Sequence, residues 1–229
     1  MEPFFLDFLL ISSNFSQMEA QNNTEKTHQK VLITGCSSGF GLLLAVKAAK
    51  IGFEVVATMR NLGKSESLKR AMAESNVSAQ IEELDITSPE SIAALVEKIG
   101  SVDMLVNNAG ILITGSFLDI TDAEARRVFE TNYFGQVNLT RAIAAGMIER
   151  KSGRIINITS LAGLIGHPFN AAYSASKHAF IGFTKSIRVE LAPFGIDVVS
   201  IEPGYHKTEI IRANANQSEN FYDRESPMF

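Results

Sequence analysis

Cysteine is almost absent from this sequence of 229 residues. Because Cys36 is the only one, an intrachain disulfide is impossible, and the composition fits a reducing, cytoplasmic compartment. The four histidines show no metal-ligand spacing with Cys36, so we expect no metal site. A disulfide-braced scaffold and a metalloenzyme are therefore both disfavoured.

Long basic clusters and long hydrophobic runs are also missing. Lys and Arg number 21 against 25 Asp and Glu, a formal net charge of -4, so we expect no nucleic-acid partner. The apolar run at 4–11 is interrupted by Asp7 and is far shorter than the roughly 20 residues that span a bilayer. It also lacks the positive region of a secretory signal. We predict no membrane span and a disordered leader at 1–29, with a native start at Met18 or a targeting role as alternatives.

From Lys30 onward, short β-rich runs alternate with longer amphipathic segments. Strands are predicted at 31–34, 54–59, 80–84, 104–106, 154–159 and 197–201, and helical segments at 39–51, 62–75, from 88, 121–149 and 173–191. This alternation predicts an α/β fold with a doubly wound parallel sheet of Rossmann type and helices on both faces. We expect one domain at 30–212 and a polar tail without a strand at 213–229.

A glycine-rich turn joins the first strand to the first helix. Its residues are Thr34, Gly35, Cys36, Ser37, Ser38, Gly39, Phe40 and Gly41. Glycines at these positions allow a tight turn and a close approach of the backbone to a pyrophosphate, while the helix N-terminus offers free N–H groups. Turns also use glycine for conformational reasons alone, so the position after the first strand is what favours nucleotide binding.

The end of the second strand indicates which dinucleotide would bind. Met59 stands where an acidic residue usually holds the ribose 2′-hydroxyl of NAD, and Arg60 follows. A guanidinium can bind a 2′-phosphate through paired hydrogen bonds, so the sequence favours NADP(H). The alternative is a solvated arginine at a strand end. Ser37 and Ser38 occupy turn positions where a second basic residue would have been informative.

Tyr173 and Lys177 stand four residues apart and therefore share one helix face. A free tyrosine has a pKa of about 10, and a nearby ammonium together with the positive nicotinamide of an oxidised cofactor would lower that pKa. Tyr173 would then accept a proton from an alcohol or donate one to a ketone. Such pairs also occur by chance in helices, so the surrounding segments decide the interpretation.

Taken together, these segments resemble the short-chain dehydrogenase/reductase family. The resemblance rests on the Gly-x-x-x-Gly-x-Gly turn, on the tract 107–110, and on Ser160, which precedes Tyr173 by thirteen positions. It implies that Ser160 holds the substrate oxygen beside Tyr173. It also implies that Asn132 perturbs its helix and holds a water linked to Lys177. The alternatives are a strand-end turn at Ser160 and a satisfied polar residue at Asn132.

The resemblance further implies a set of residues that contact the dinucleotide. They are Gly35, Ser37, Ser38, Gly39, Phe40, Gly41, Arg60, Asp85, Ile86, Asn108, Ala109, Gly110, Tyr173, Lys177, Pro203, Gly204 and Thr208. Asp85 would face the adenine, and Pro203, Gly204 and Thr208 would lie beside the nicotinamide. Asp85 and the tract 107–110 could each instead be an ordinary turn.

The function that follows is an NADP(H)-dependent oxidoreductase that interconverts an alcohol and a ketone or aldehyde. An apolar substrate is expected from the candidate wall residues Leu161, Leu164, His167, Phe169 and Tyr205. The tract 188–195 resembles, loosely, the steroid- and retinol-type branch. Relatives pair through the helices that here contain Asn132 and Tyr173, which implies a homodimer.

A non-catalytic dinucleotide-binding protein or an inactive, shortened scaffold is the alternative. The chain ends before the helix and seventh strand that the resemblance implies, and we therefore expect the sixth strand to lie at an edge of the sheet.

Overall fold

Six parallel strands form the main sheet of this computed structural model, which describes residues 29–204 and the backbone of residues 215–217. The described residues contain eight strands, of which β5 and β8 lie outside the main sheet: β1 Lys30–Ile33, β2 Glu54–Met59, β3 Gln80–Glu83, β4 Met104–Asn107, β5 Leu112–Thr114, β6 Gly153–Ile158, β7 Ile196–Ile201 and β8 Ala215–Gln217. The main sheet has the order β3-β2-β1-β4-β6-β7. Strands β2 and β3 are added on one side of β1, and β4, β6 and β7 are added on its other side. This order confirms the doubly wound fold expected from the sequence.

Six α-helices alternate with the strands of the described chain. They are α1 Gly39–Lys50, α2 Glu66–Glu74, α3 Pro89–Ile99, α4 Asp122–Phe129, α5 Gly135–Arg150 and α6 Ala171–Leu191. Short 3-10 turns occupy Leu62–Lys64, Leu161–Gly163 and Ala192–Phe194, and a π-helical turn occupies Glu130–Phe134. None of the described helices combines the length and apolar character needed to cross a membrane.

Local sequence signals begin two of these helices as expected. The Ser88 hydroxyl accepts a hydrogen bond from the Ser91 amide at 3.1 Å, and Pro89 takes the first helical position of α3. Thr121 and Glu124 form a reciprocal capping box at the start of α4. These contacts need only a few neighbouring residues, which is why the sequence alone predicts them.

The core lies on both faces of the sheet. Val31 and Ile33 of β1 pack into the cluster that includes α1 and α2, whereas Leu32 between them packs into the cluster formed with α3 and α5. All three side chains are buried. This alternation places opposite faces of each strand in two cores. The carboxyl ends of the strands are left free to carry a site.

Two predicted helical segments are interrupted in the structure. The segment 62–75 begins as the 3-10 turn Leu62–Lys64 before α2 starts at Glu66. The segment 121–149 contains the π-helical turn Glu130–Phe134 between α4 and α5. The sequence pattern does not resolve these changes, because stretches of 3 and 5 residues are too short for a change of helical periodicity to show.

A small second sheet corrects the prediction that residues 213–229 contain no strand. The backbone of β8 pairs in parallel with β5, with Leu112 opposite Ala215 and Thr114 opposite Gln217. Three-residue strands carry too little periodicity to be found by pattern, so their pairing depends on the tertiary fold. In the main sheet β7 pairs with β6 and is an edge strand among the described residues, as expected.

Candidate active site

The glycine-rich turn is packed so closely that side chains would not fit at two of its positions. Gly35 has a φ of +74°, and a Cβ there would lie 2.9 Å from the Cα of Ala109. A Cβ at Gly41 would lie 2.3 Å from the carbonyl oxygen of Gly35. Only glycine allows this approach of α1 to the turn. The N-cap residue Ser38 makes no side-chain cap hydrogen bond, so the first amides of α1 remain available to an anion.

Hydrogen bonds join the turn after β4 to the glycine-rich turn. The Asn108 amide nitrogen donates to the carbonyl oxygens of Thr34 at 2.7 Å and Gly35 at 3.2 Å. The Thr34 hydroxyl in return accepts from the backbone amides of Asn108 and Ala109, each at 2.9 Å. The Asn108 side chain therefore positions the glycine-rich turn, in addition to bordering the cavity described next.

Asn107, at the end of β4, links the strands of the sheet to the helices by hydrogen bonds. Asn107 Nδ2 donates to Thr140 Oγ1 on α5 and to Asn157 Oδ1 on β6, both at 2.8 Å. Asn157 in turn donates to Thr184 Oγ1 on α6 at 2.8 Å. All four side chains are buried. This chain of hydrogen bonds fixes α5 and α6 against the centre of the sheet.

A cavity of about 250 Å³ opens at the carboxyl ends of β1, β2 and β4. Of the residues predicted to contact a dinucleotide, the cavity brings together Gly35, Ser37, Ser38, Gly39, Phe40, Arg60, Asp85, Ile86, Asn108, Ala109 and Gly110. Gly41, also predicted to contact the dinucleotide, is buried and does not line this cavity. Open strand ends beside a helix N-terminus are where doubly wound sheets bind ligands.

The sequence prediction missed nine residues that also line this cavity. They are Thr34, Thr58, Met59, Asn61, Lys64, Leu84, Thr87, Ile111 and Thr131. Most of them adjoin predicted residues and could have been inferred from their position at strand ends. Lys64 has no such signal, because it enters the cavity through the 3-10 turn Leu62–Lys64 that separates β2 from α2.

Asp85 is held by its own loop. Its Oδ1 accepts from the Thr87 hydroxyl at 2.7 Å and from the Thr87 amide at 2.9 Å. The hydroxyl hydrogen bond is the largest cause that lowers the pKa of Asp85, and the Arg60 guanidinium adds a smaller attraction. Asp85 is therefore a carboxylate at neutral pH, and it influences any anion that enters the cavity.

Ser160 and Tyr173 meet although they lie on different elements. Ser160 follows β6 and caps the 3-10 turn Leu161–Gly163, where its hydroxyl accepts from the Ala162 amide at 3.1 Å. The Ser160 hydroxyl also lies near the Tyr173 phenol, where it acts to lower the pKa of that phenol. The fold thus joins the two groups that the sequence suggested only by spacing.

Lys177 is buried one turn further along α6. Its Nζ donates to the Ile158 carbonyl at 3.0 Å and lies 5.8 Å from the centroid of the Tyr173 ring. Burial lowers the pKa of Lys177 to about 8. An amine with this pKa remains mostly protonated at neutral pH.

The surrounding protein raises the pKa of Tyr173, because burial has a larger effect on it than the nearby Ser160 hydroxyl, which acts to lower it. The physical reason is desolvation, which penalises the tyrosinate when the phenol is enclosed by protein. Sequence spacing carries no information about such enclosure. The expectation that Lys177 and an oxidised nicotinamide together lower this pKa stays a prediction.

Asn132 lies in the π-helical turn and is fully buried. Its Oδ1 accepts from the Ile111 amide at 2.8 Å, and its Nδ2 donates to the Ile111 carbonyl at 2.9 Å and to Ser176 Oγ at 3.1 Å. The side chain therefore clamps the segment after β4 against α6. The perturbed helix agrees with what the resemblance implied, whereas the implied water link to Lys177 stays a prediction.

The segment after β7 reaches the same region. The Leu161 amide donates to the Pro203 carbonyl at 3.0 Å, which places Pro203 directly beside the turn that begins at Ser160. Gly204 is exposed. Thr208 and Tyr205, which were predicted to contact the dinucleotide and the substrate, lie outside the described residues.

The model of the short chain dehydrogenase family matches residues 29–219. The chain belongs to this family. Human retinol dehydrogenase 8 is 45% identical over 184 residues, which are 78% of this chain and 59% of that protein. The chain thus spans about three fifths of the length of this curated relative.

Two solved structures of the family share the fold and differ in their nucleotide. A variant of actinorhodin polyketide ketoreductase with NADPH has a TM-score of 0.74 and 37% identity, covering 81% of this chain and 73% of that one. An NAD+-bound xylitol dehydrogenase has a TM-score of 0.73 and 32% identity, covering 79% and 72%. Because one of these structures holds NADPH and the other NAD+, the shared fold alone does not determine the choice of nucleotide.

Proposed function

We propose that this chain is an NADP(H)-dependent oxidoreductase that interconverts an apolar alcohol and the corresponding ketone or aldehyde. The observation that carries the proposal is the meeting of Ser160, Tyr173 and Lys177, brought from two elements to the carboxyl side of the sheet. A serine hydroxyl near a tyrosine phenol, with a buried amine beside them, can form a proton-transfer site for an oxygen-bearing substrate.

The neighbouring cavity fits a dinucleotide. The close packing at Gly35 and Gly41 fixes the glycine-rich turn beside this cavity, and no side-chain cap occupies the first amides of α1, which are left for a pyrophosphate. Residues Ser37 to Phe40 would hold the pyrophosphate, and Asp85 and Ile86 the adenine. When bound, the nicotinamide group supplies or accepts the hydride.

The protein's own residues handle the proton. The Ser160 hydroxyl would hold the substrate oxygen beside the Tyr173 phenol. Because burial raises the pKa of Tyr173, the phenol is protonated at neutral pH and can donate to a carbonyl oxygen during reduction. In oxidation the phenol must first release its proton, and the resulting tyrosinate then accepts the alcohol proton. The Lys177 ammonium favours the transient tyrosinate, since an adjacent positive charge stabilises an anion.

The preference for NADP(H) rests on the end of β2. Met59 is buried there, so no carboxylate occupies the usual position of the ribose anchor, and Arg60 is exposed at the cavity. We propose that Arg60 pairs with the 2′-phosphate. Titration of the unmodified chain with NADPH and NADH should show tighter binding of NADPH, and Arg60→Asp should reverse the order. Equal affinities in the unmodified chain would contradict this part of the proposal.

An apolar substrate is proposed from the exposed side chains around Ser160. Leu161, Leu164 and Phe169 are each exposed by 44 to 51% on the loop that leads from Ser160 to Tyr173. The human relative is named a retinol dehydrogenase, and retinol is an apolar alcohol. The test is turnover of NADPH with a series of ketones and aldehydes of increasing apolar length. Binding of NADPH without turnover of any of them would instead favour a non-catalytic dinucleotide-binding protein.

We also propose a cytoplasmic homodimer. The outer side of α6 carries Ala175, Gly182 and Val189 at helical spacing, and all three are exposed. Val189 is 74% exposed, so this face presents an aliphatic side chain between small residues. A second copy that packs on this face would bury it through an isologous contact. The single buried thiol of Cys36 supports the proposed cytoplasmic location only in that a reducing compartment requires no disulfide.

A further inference from the structure

The 3-10 turn Leu62–Lys64 holds its shape by local hydrogen bonds. Asn61 Oδ1 accepts from the Gly63 amide at 2.8 Å, and the Asn61 carbonyl accepts from the Lys64 amide at 3.0 Å. The Ser65 amide donates to the Leu62 carbonyl at 3.0 Å, and Ser65 is buried. The backbone of Lys64 is therefore fixed relative to the end of β2.

The side chain of Lys64 borders the same cavity as Arg60. Neither residue forms a salt bridge within the part of the chain that the structure describes. Lys64 is exposed, so its ammonium can move to meet a ligand without leaving a partner. A lysine of this kind binds a phosphate as a point charge.

The balance of charge in the cavity shows why Lys64 matters. Among the residues that line it, Arg60 and Lys64 carry positive charge and Asp85 carries negative charge. Asp85 is ionised, and the Arg60 guanidinium already interacts with it. Without Lys64 the cavity would have no net positive charge to attract a phosphate dianion. The glycine-rich turn provides no replacement, because it holds Ser37 and Ser38.

We infer that Lys64 is a specificity-determining residue that binds the 2′-phosphate of NADP(H) together with Arg60. This inference rests on the proposed NADP(H) dependence. Arg60 supplies planar paired hydrogen bonds, and Lys64 supplies the charge that outweighs Asp85. Lys64 in the 3-10 turn thus supplies the second positive charge, which the glycine-rich turn lacks.

The test compares two small probes on the full chain. Adenosine 2′,5′-bisphosphate carries the 2′-phosphate, and AMP lacks it but shares the remainder of the site. By isothermal titration, Lys64→Ala should weaken binding of the bisphosphate by about tenfold and change binding of AMP by less than about twofold. Lys64→Arg should keep most of the affinity for the bisphosphate, because it keeps the charge.

Lys69→Ala is the matched control. Lys69 is exposed on α2, five positions away, and its removal changes the net charge equally, yet it does not line the cavity. It should leave both affinities unchanged. An equal loss in Lys69→Ala and Lys64→Ala would show that general charge is responsible and would overturn the inference.

Arg60→Ala distinguishes the role inferred for Lys64 from the proposed preference for NADP(H). If Arg60→Ala weakens binding of the bisphosphate and Lys64→Ala does not, Lys64 has no such role and the NADP(H) preference still stands. If the unmodified chain binds the bisphosphate no more tightly than AMP, the NADP(H) preference itself is wrong, and the inference fails with it. Retained binding of AMP in every variant verifies that the site is folded.

Discussion

The side-chain nitrogen of Lys177 lies 5.8 Å from the centroid of the Tyr173 ring and is anchored by the Ile158 carbonyl on β6. This anchor matters because it fixes a buried ammonium near the phenol without a direct hydrogen bond to it. Burial then has opposite effects on the two pKa values, raising that of Tyr173 and lowering that of Lys177. Both shifts come from desolvation of a charged form.

Tyr173→Phe should abolish turnover while leaving NADPH binding nearly unchanged. The substitution keeps the ring and removes the group that exchanges the proton, so we expect a loss of about 10²- to 10⁴-fold in kcat. Steady-state kinetics with a reducible ketone and fluorescence titration with NADPH measure the two effects. Ser160→Ala should also slow the chemistry, since its hydroxyl would position the reacting oxygen. A Tyr173→Phe variant that retained most of the rate would mean that the general acid lies elsewhere.

Lys177→Met should alter the pH dependence of stability. In the folded protein the pKa of Lys177 is about 8, below its ordinary value of 10.5, so the unfolded chain binds this proton more tightly. The buried ammonium therefore costs stability below pH 8, and the cost disappears as the pH rises toward 10.5. Its full size is roughly 3 kcal/mol.

Denaturant unfolding of both proteins across this pH range measures the difference. The free energy of unfolding of the unmodified protein, relative to that of Lys177→Met, should rise with pH. Taking the difference cancels the titration of groups that do not interact with Lys177, and limiting the comparison to pH values below 10 keeps Tyr173 as the phenol in both proteins. Parallel profiles for the two proteins would show that burial of Lys177 has no such cost.

Gly41→Ala should destabilise the protein and weaken dinucleotide binding. The new Cβ would lie 2.3 Å from the Gly35 carbonyl oxygen and 2.5 Å from Asn108 Nδ2, so the glycine-rich turn must move. Overpacking of this kind costs roughly 1–3 kcal/mol. Thermal unfolding and NADPH titration are the measurements. Gly166→Ala is the control, because a Cβ there would meet no atom within 4 Å, and it should change neither quantity.

Gly182→Arg should convert the proposed dimer to a monomer. Gly182 is exposed on α6, and a Cβ there would meet nothing within 4 Å of the same chain, so the folded protomer tolerates the side chain. A second copy packed on this face would not. Light scattering should give a dimer mass for the unmodified protein and for Gly166→Arg, whose site is equally open. A monomer mass for the unmodified protein at micromolar concentration would refute the proposed assembly.

The sequence by itself determined the features that depend on near neighbours. The alternation of strands and helices, the Ser88 cap and the capping box of Thr121 and Glu124 follow from periodicity and from contacts within one turn. The glycine-rich turn is equally local, because a tight turn before a helix needs glycine at Gly35 whatever the rest of the chain does. These signals sufficed for the fold and for most of the cavity.

Only the tertiary structure decided the features that depend on packing between distant segments. Lys64 lines the cavity because a 3-10 turn follows β2, and β8 was found only through its pairing with β5. The pKa of Tyr173 is raised because surrounding elements exclude water from the phenol, and no spacing along the chain reports that exclusion. Desolvation and strand pairing join residues that are far apart in sequence, so they become visible only when the chain is folded.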